Sequence, residues 1–179
     1  LGYDHIEPDE ADHMEALESA ITPRTRWLII NSPNNPSGAA YNAAEYRALA
    51  DVLLRHPHVL LMTDDIYEHI RFESQENPHP VAIEPALKSR TLIINGVSKT
   101  YAMTGFRIGY LAAPPSLTEE LLKIHQYSVT CTTSFAQKAA LAALTGPQDS
   151  VGEMVSEFKR RRDLVVGRLR DMGIKCNLP

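Results

Sequence analysis

The chain has 179 residues, with 18 Lys and Arg against 22 Asp and Glu, a net charge of -4, 44% hydrophobic and 22% charged residues. That is the balance of an ordinary water-soluble globular protein, long enough for one sizeable core. The mild acidity argues against a nucleic-acid binder, no apolar run is long enough for a membrane span, and two cysteines, Cys131 and Cys176, exclude a disulfide-dense scaffold and suit a reducing compartment. No signal peptide opens the chain; it begins at Leu1 and stops at Leu178-Pro179, which reads as a piece of something longer.

Taken in order, residues 9–21 place Met14, Leu17 and Ile21 at helical spacing before Pro23. Residues 25–30 (Thr-Arg-Trp-Leu-Ile-Ile) read as a buried strand running into the turn-rich Asn31-Ser32-Pro33-Asn34-Asn35-Pro36-Ser37-Gly38. Asn42 is expected to cap a helix reaching about Arg55, with Tyr46, Leu49, Val52 and Leu53 inward. Two more apolar strands follow, 59–63 ending at Asp64-Asp65 and 91–95 ending at Gly96-Val97-Ser98-Lys99, and 107–113 offers a fourth. The remainder is helical. A helix starts at Pro115, an Ala-rich one runs from Ser134 to Leu144 and stops at Gly146-Pro147, and a long one spans about 151–172. Along that last helix Met154, Val155, Phe158, Val165, Val166, Leu169 and Met172 form a continuous apolar stripe, Gly173 is the C-terminal stop, and Ile174-Lys175-Cys176 reads as the start of another strand.

Apolar strands separated by helices predict an α/β, three-layer α/β/α fold with a mostly parallel sheet covered on both faces. Ligands of such sheets sit beyond the carboxyl ends of the strands. All three clear strands lead there into chemically capable side chains: Asn35, Asp64 and Lys99. A pyridoxal cofactor needs a lysine amine to condense with its aldehyde, a carboxylate to hold the ring nitrogen protonated, donors for the phenolic oxygen and an arginine fork for the phosphate. Lys99, Asp64, Asn35 with Tyr67, and Arg107 supply that set, and Tyr67 lies one helical turn beyond Asp64. Singly each residue has a plainer reading. Asn-Asn-Pro-Ser-Gly is a common turn, Asp64 or Asp65 could cap a helix, Lys99 and Arg107 could be solvated charges, and Tyr67 a core aromatic. In this order and spacing the plainer readings must all coincide, and the joint reading prevails.

The segments Asn31 to Gly38, Asp64-Asp65-Ile66-Tyr67, and Ser98-Lys99-Thr100-Tyr101-Ala102-Met103-Thr104-Gly105-Phe106-Arg107-Ile108-Gly109-Tyr110 resemble class I aminotransferases of the aspartate aminotransferase type. The likeness extends through Gly146 to Asp149 and Arg160 to Asp163. The resemblance implies pyridoxal 5'-phosphate as cofactor, with Lys99 as the catalytic lysine that bonds it. Asp64 would pair with the ring nitrogen, Asn35 and Tyr67 with the phenolic oxygen, and Arg107 with the phosphate. It also implies a cis peptide at Asn35-Pro36. The substrates it implies are amino acids, aspartate foremost, and 2-oxo acids such as 2-oxoglutarate, in a cytoplasmic homodimer. It divides the chain into 1–147, part of a large cofactor-binding domain, 148–172, a linking helix, and 173–179, the start of a small domain. Gly96 stands where many relatives have a phosphate-contacting serine, leaving only a backbone N–H there. The Gly-rich phosphate loop and the substrate-carboxylate arginine of the family have no counterpart here, so the 179 residues alone are expected to be inactive. A lyase of the same fold, or a non-catalytic regulatory domain built on it, are the alternatives.

Other features carry less. His56-Pro57-His58 lacks metal-ligand spacing and reads as a loop, so no metal site is expected. Lys159-Arg160-Arg161-Arg162 reads as a solvated helix face and Cys131 as a small core residue.

Overall fold

A computed structural model describes residues 10–72 and 78–179, with side chains from residue 13 onward. Among the described residues, three α-helices and four strands occupy the first two thirds, and three further α-helices the last. The sheet has the order β1-β2-β3-β4. Strands β1 (Trp27–Asn31), β2 (Leu60–Asp64) and β3 (Thr91–Gly96) are parallel. β4 (Gly109–Ala112) runs antiparallel to β3. The three parallel strands therefore end on the same edge, and the register sets Asn31 beside Asp64 and Asp64 beside Ile94.

The strand-to-strand crossovers explain where the core lies. Helix α1 (Glu10–Ala20) leads into β1, and α2 (Ala43–Arg55) connects β1 to β2. The short α3 (Pro80–Ile83) and the 3-10 turn Pro85–Arg90 precede β3. Consecutive parallel strands added in one direction, each by a right-handed crossover, place their connections on one side of the sheet. That side holds the main core: Ile30 and Leu61 from the strands, Tyr46, Leu49, Ala50 and Leu53 from α2, with Val59 and Leu87. Met14, Leu17 and Ile21 pack against it. The α2 residues recur at helical spacing, and Asn42 starts the helix with a full capping box, its side chain accepting from Glu45 N–H at 3.0 Å while Glu45 accepts from Asn42 N–H at 2.6 Å.

The opposite face, which carries Asn31, Met62, Asp64 and Leu92, is more open: Ile29 is 64% exposed, Ile94 37% and Leu111 44%. The α/β class and mostly parallel sheet follow the sequence expectation, and among the described residues the main core lies on one face of β1 to β3 while β4 is exposed. Both polar strand ends, Asn31 and Asp64, belong to the open face.

Helices α4 (Pro115–Ser128), α5 (Ser134–Thr145) and α6 (Asp149–Asp171) complete the fold. Gly173, at φ +76°, closes α6 in a Schellman arrangement, with Gly173 N–H donating to Arg170 C=O and Ile174 N–H to Leu169 C=O, both at 2.9 Å. Three expectations are corrected here: the strand at 174–176, the solvated Arg162 and the core Cys131. Residues 174–176 form no strand, because no neighbouring strand pairs with them. Along the α6 stripe Val165 is 54% and Met172 66% exposed, while Val166 is buried. Arg162 leaves the solvated face and is 8% exposed, its guanidinium bonded to Asp163 and to Pro179 C=O and lying 4.8 Å over the Phe72 ring. Cys131 is exposed, in the turn that joins α4 to α5. Among the described residues no helix is long and apolar enough to cross a membrane.

Candidate active site

The segment leaving β1 folds into a compact loop. Asn34 N–H donates to Ala39 C=O at 2.8 Å, Gly38 N–H to Asn34 C=O at 2.9 Å, and the Ser37 hydroxyl to Asn34 Oδ1 at 2.8 Å. Ser32, buried, accepts from Tyr41 N–H at 3.0 Å and ties the loop to the approach of α2. The Asn35-Pro36 bond is cis as expected, and so is Ser32-Pro33, which the sequence reading did not single out. Gly38 at φ +76° supplies a left-handed step that side chains disfavour, and a Cβ added there would collide with Pro179. The result presents Asn35, exposed, at the tip beyond the strand ends.

After β2 the chain makes successive tight turns, Glu68 N–H to Asp65 C=O at 2.9 Å and Ile70 N–H to Tyr67 C=O at 2.8 Å, in place of the regular helical turn the spacing predicted. The outcome for Tyr67 is the same: it swings back over the strand ends. Asn35 Nδ2 donates to the Tyr67 hydroxyl at 3.2 Å, and Lys99 Nζ lies 5.8 Å from the centre of the Tyr67 ring. Three of the five residues singled out from sequence thus meet directly, although they lie 32 residues apart in each step. An acceptor oxygen placed between the Asn35 amide and the Tyr67 hydroxyl would draw a hydrogen bond from both.

Asp64 is held by its surroundings. Its Oδ1 accepts from Ile66 N–H at 3.3 Å, and the next residue, Asp65, donates its N–H to Ile94 C=O on β3 at 2.9 Å. Asp65, which the sequence offered as a helix cap, is instead buried on the other side. Its carboxylate accepts from the Thr63 hydroxyl at 3.2 Å and pairs with His79 Nε2 at 3.2 Å. The His79 tautomer follows from chemistry: Nδ1 accepts from Val81 N–H at 3.2 Å, so the ring proton sits on Nε2 facing Asp65. The two consecutive aspartates therefore serve opposite faces of the sheet, the alternation expected of extended chain.

Arg107 stands apart from the trio. It is exposed, in the left-handed region at φ 51°, and donates to Thr104 C=O at 2.9 Å, within its own turn. The Thr104 hydroxyl in turn donates to Ser98 C=O at 3.2 Å, so the turn bearing Arg107 is fastened to the residue before Lys99. At Gly96 the backbone N–H, the group left to a glycine for phosphate, already donates to Asn95 Oδ1 at 2.7 Å. A Cβ there would lie 3.0 Å from Ile108 C=O and 3.2 Å from Gly109 Cα, so the close passage of β4 is what the glycine accommodates.

The residue that sequence reading missed is Asn31. Its amide donates to Asp64 C=O at 3.0 Å, and its Oδ1 accepts from Asn35 N–H at 2.9 Å. Its place as the first polar residue after an apolar strand was the available signal. A cleft of about 480 Å³ opens beside Asn35 and Tyr67, bounded by Arg71, Phe72, Arg162 and Pro179. Among the described residues no group of three or more His, Cys, Asp and Glu is arranged to hold a metal. The His56-Pro57-His58 segment is a turn whose histidines face Glu18 and Thr22 C=O.

The family described as aminotransferase class I and II matches residues 6–179. The chain belongs to this family. It is 54% identical over 166 residues to the aspartate aminotransferase of Rhizobium meliloti strain 1021, covering 92% of this chain and 40% of that protein. It is 52% identical over 166 residues to the aspartate/prephenate aminotransferase of Cereibacter sphaeroides, covering 92% and 42%. Among solved structures it superposes on the aspartate aminotransferase from Rhizobium meliloti with a TM-score of 0.85 at 53% identity, over 88% of this chain and 40% of that one. The aromatic aminotransferase from Pyrococcus horikoshii OT3 gives 0.84 at 38% identity, over 89% and 43%. The chain thus spans about 40% of the length of these aminotransferases.

Proposed function

We propose that this chain is the cofactor-holding core of a pyridoxal 5'-phosphate-dependent aminotransferase that moves an amino group from aspartate to a 2-oxo acid such as 2-oxoglutarate. The observation that carries the reading is the meeting of Asn35, Tyr67 and Lys99 above the strand end that bears Asp64. That donor set fits the cofactor: one amine, one carboxylate, two neutral donors converging on one point, and a guanidinium on a turn fastened beside the amine. The relatives named for aspartate support the substrate, and the aromatic and prephenate names among the others show how far the same fold ranges.

Bound pyridoxal phosphate would supply an electron sink for negative charge at the substrate's Cα. The chain's own residues would do the rest. Asp64 is held in place by Ile66 N–H and its carboxylate would keep a proton on the ring nitrogen by charge pairing. Asn35 Nδ2 and the Tyr67 hydroxyl would both donate to the phenolic oxygen, exchanging their present bond for that shared acceptor. Arg107 uses one N–H on Thr104 and would offer others of its five to phosphate. Lys99 Nζ, half-buried above the Tyr67 ring, would anchor the cofactor and, once displaced by the incoming amine, carry the proton from the substrate's Cα as a neutral base.

The reading includes a division at 147/148 and 172/173, with α6 as the linking helix, and a cytoplasmic homodimer. The dimer is supported by the apolar surface that α4 and α5 leave open, Tyr127 at 94% and Phe135 at 68% exposure.

The test uses the full-length polypeptide that carries this sequence. Pyridoxal phosphate is added, the adduct is reduced with borohydride, and the labelled peptide is mapped with Lys99→Ala as control. Label confined to Lys99, together with conversion of aspartate and 2-oxoglutarate to oxaloacetate and glutamate, is the expected result. Label spread over surface lysines would refute the site, and release of ammonia without amino transfer would replace the transferase with a lyase.

A further inference from the structure

We infer that Asn31 is a positioning residue, whose single side-chain amide sets Asp64 and Asn35 relative to each other. The inference rests on the proposal that these two residues serve the nitrogen and the phenolic oxygen of one bound ring. Asn31 ends β1 and lies in register with Asp64 on the open face of the sheet. Its Nδ2 donates to Asp64 C=O at 3.0 Å, while its Oδ1 accepts from Asn35 N–H at 2.9 Å and from Asn34 Nδ2 at 3.4 Å. The orientation of the amide is fixed by chemistry, because a carbonyl can only accept and a backbone N–H can only donate. Turning the amide over would set like groups against each other at both ends.

The remaining bonds of the Asn34–Ala39 loop close it on itself. Asn34 N–H reaches Ala39, Gly38 N–H reaches Asn34, and the Ser37 hydroxyl reaches Asn34 Oδ1. Those bonds shape the loop without placing it against β2. The β1–β2 ladder brings residue 31 beside Asp64, and the Asn31 side chain carries that placement on to Asn35, which in turn reaches Tyr67. Both attachments are to main-chain groups, so a change at residue 31 would be felt as a shift of two backbones. A misplacement of that kind is costly in a site that must present two donors and a carboxylate to one rigid ring. Other side chains fail for stated reasons. Aspartate keeps the acceptor for Asn35 but turns an oxygen towards Asp64 C=O. Alanine loses both bonds, and glutamine displaces both by one methylene.

The test compares wild type, Asn31→Asp, Asn31→Ala and Ser32→Ala in the full-length polypeptide, with pyridoxal 5'-phosphate as the probe. Three readouts are taken: the dissociation constant of the probe, the pH midpoint of its bound absorption band, and the melting temperature without it. Ser32→Ala removes a bond within the same loop, to Tyr41 N–H, that touches neither Asp64 nor Asn35, so it reports plain loop destabilisation. Asn31→Asp preserves shape and guards against a variant that fails to fold. The expected result is binding weakened about tenfold in both Asn31 variants and a midpoint moved by about half a unit or more, with Ser32→Ala lowering the melting temperature alone. Wild type that binds the probe, beside Asn31 variants with unchanged affinity and midpoint, would overturn the positioning role and leave the cofactor site standing. Wild type without a specific band would overturn both.

Discussion

Replacing Tyr67 with Phe removes one hydroxyl and leaves the ring beneath Lys99, 5.8 Å from the amine. The proposed role of that hydroxyl is to donate to the deprotonated phenolic oxygen of the cofactor. A hydrogen bond to a charged acceptor contributes about 1.5–3 kcal/mol, and about 1.4 kcal/mol is one pH unit, so the full effect would be about one to two units. The Asn35 amide would still donate to the same oxygen, and Asn35 is exposed, where water screens the loss. Both considerations favour the lower figure of about one unit. The sign follows from which form the donor stabilises. Losing a donor to the deprotonated oxygen favours the protonated form, so the pH midpoint of the bound cofactor's absorption rises. The assay is a spectrophotometric pH titration of the cofactor-loaded, full-length polypeptide beside wild type, with melting of the cofactor-free protein as control. An unmoved midpoint, or one that falls, would refute the assignment of Tyr67 to the phenolic oxygen.

Asn42→Ala should remove the capping box of α2 and lower stability by about 1 kcal/mol in urea denaturation, with little change in cofactor binding. Gly38→Ala should be more damaging than an exposed loop position ordinarily is. It forces a side chain into φ +76°, at about 1–2 kcal/mol, and drives a Cβ against Pro179, which a lowered melting temperature would register. Glu18 on α1 is held at a pKa of about 2, first by its hydrogen bond to the Arg55 guanidinium and also by His56. A depressed folded-state pKa stabilises above the unfolded carboxylate's value and is lost as pH falls towards 2, so the α1–α2 contact should loosen over that acid range. In Arg55→Ala the Glu18 carboxyl should titrate nearer its ordinary range by NMR, and an unchanged titration would show that Arg55 is not the cause.

Much of the site was legible before any fold was known because its chemistry is concentrated where apolar runs stop. Asn35, Asp64 and Lys99 each follow a strand that only burial can explain, and parallel strands bring such ends to one edge. The Asn42 cap and the Gly173 stop were legible for a local reason, since each is decided within about four residues. Asn31 was not, because its importance lies in two main-chain groups, one of them 33 residues away. Arg162 read as one of four like charges on a helix, and only the arrival of Phe72 and Pro179 made it buried. The turn at Cys131 and the missing strand at 174–176 fail for the same cause, since burial and pairing require partners that local sequence does not name.

The sequence by itself determined the alternation of elements, the inward face of α2 and the inventory of an amine, a carboxylate, an amide, a phenol and a guanidinium. These depend on periodicity and side-chain chemistry, which are properties of short stretches. Only the tertiary structure decided that Asp64 and Asp65 face opposite sides of the sheet, that Asn35 and Tyr67 meet while Arg107 is folded onto its own turn, and that the main core packs on one face of the parallel strands. Those outcomes depend on strand register and on crossovers landing on one side, which are relations between segments and therefore fixed only when the segments pack.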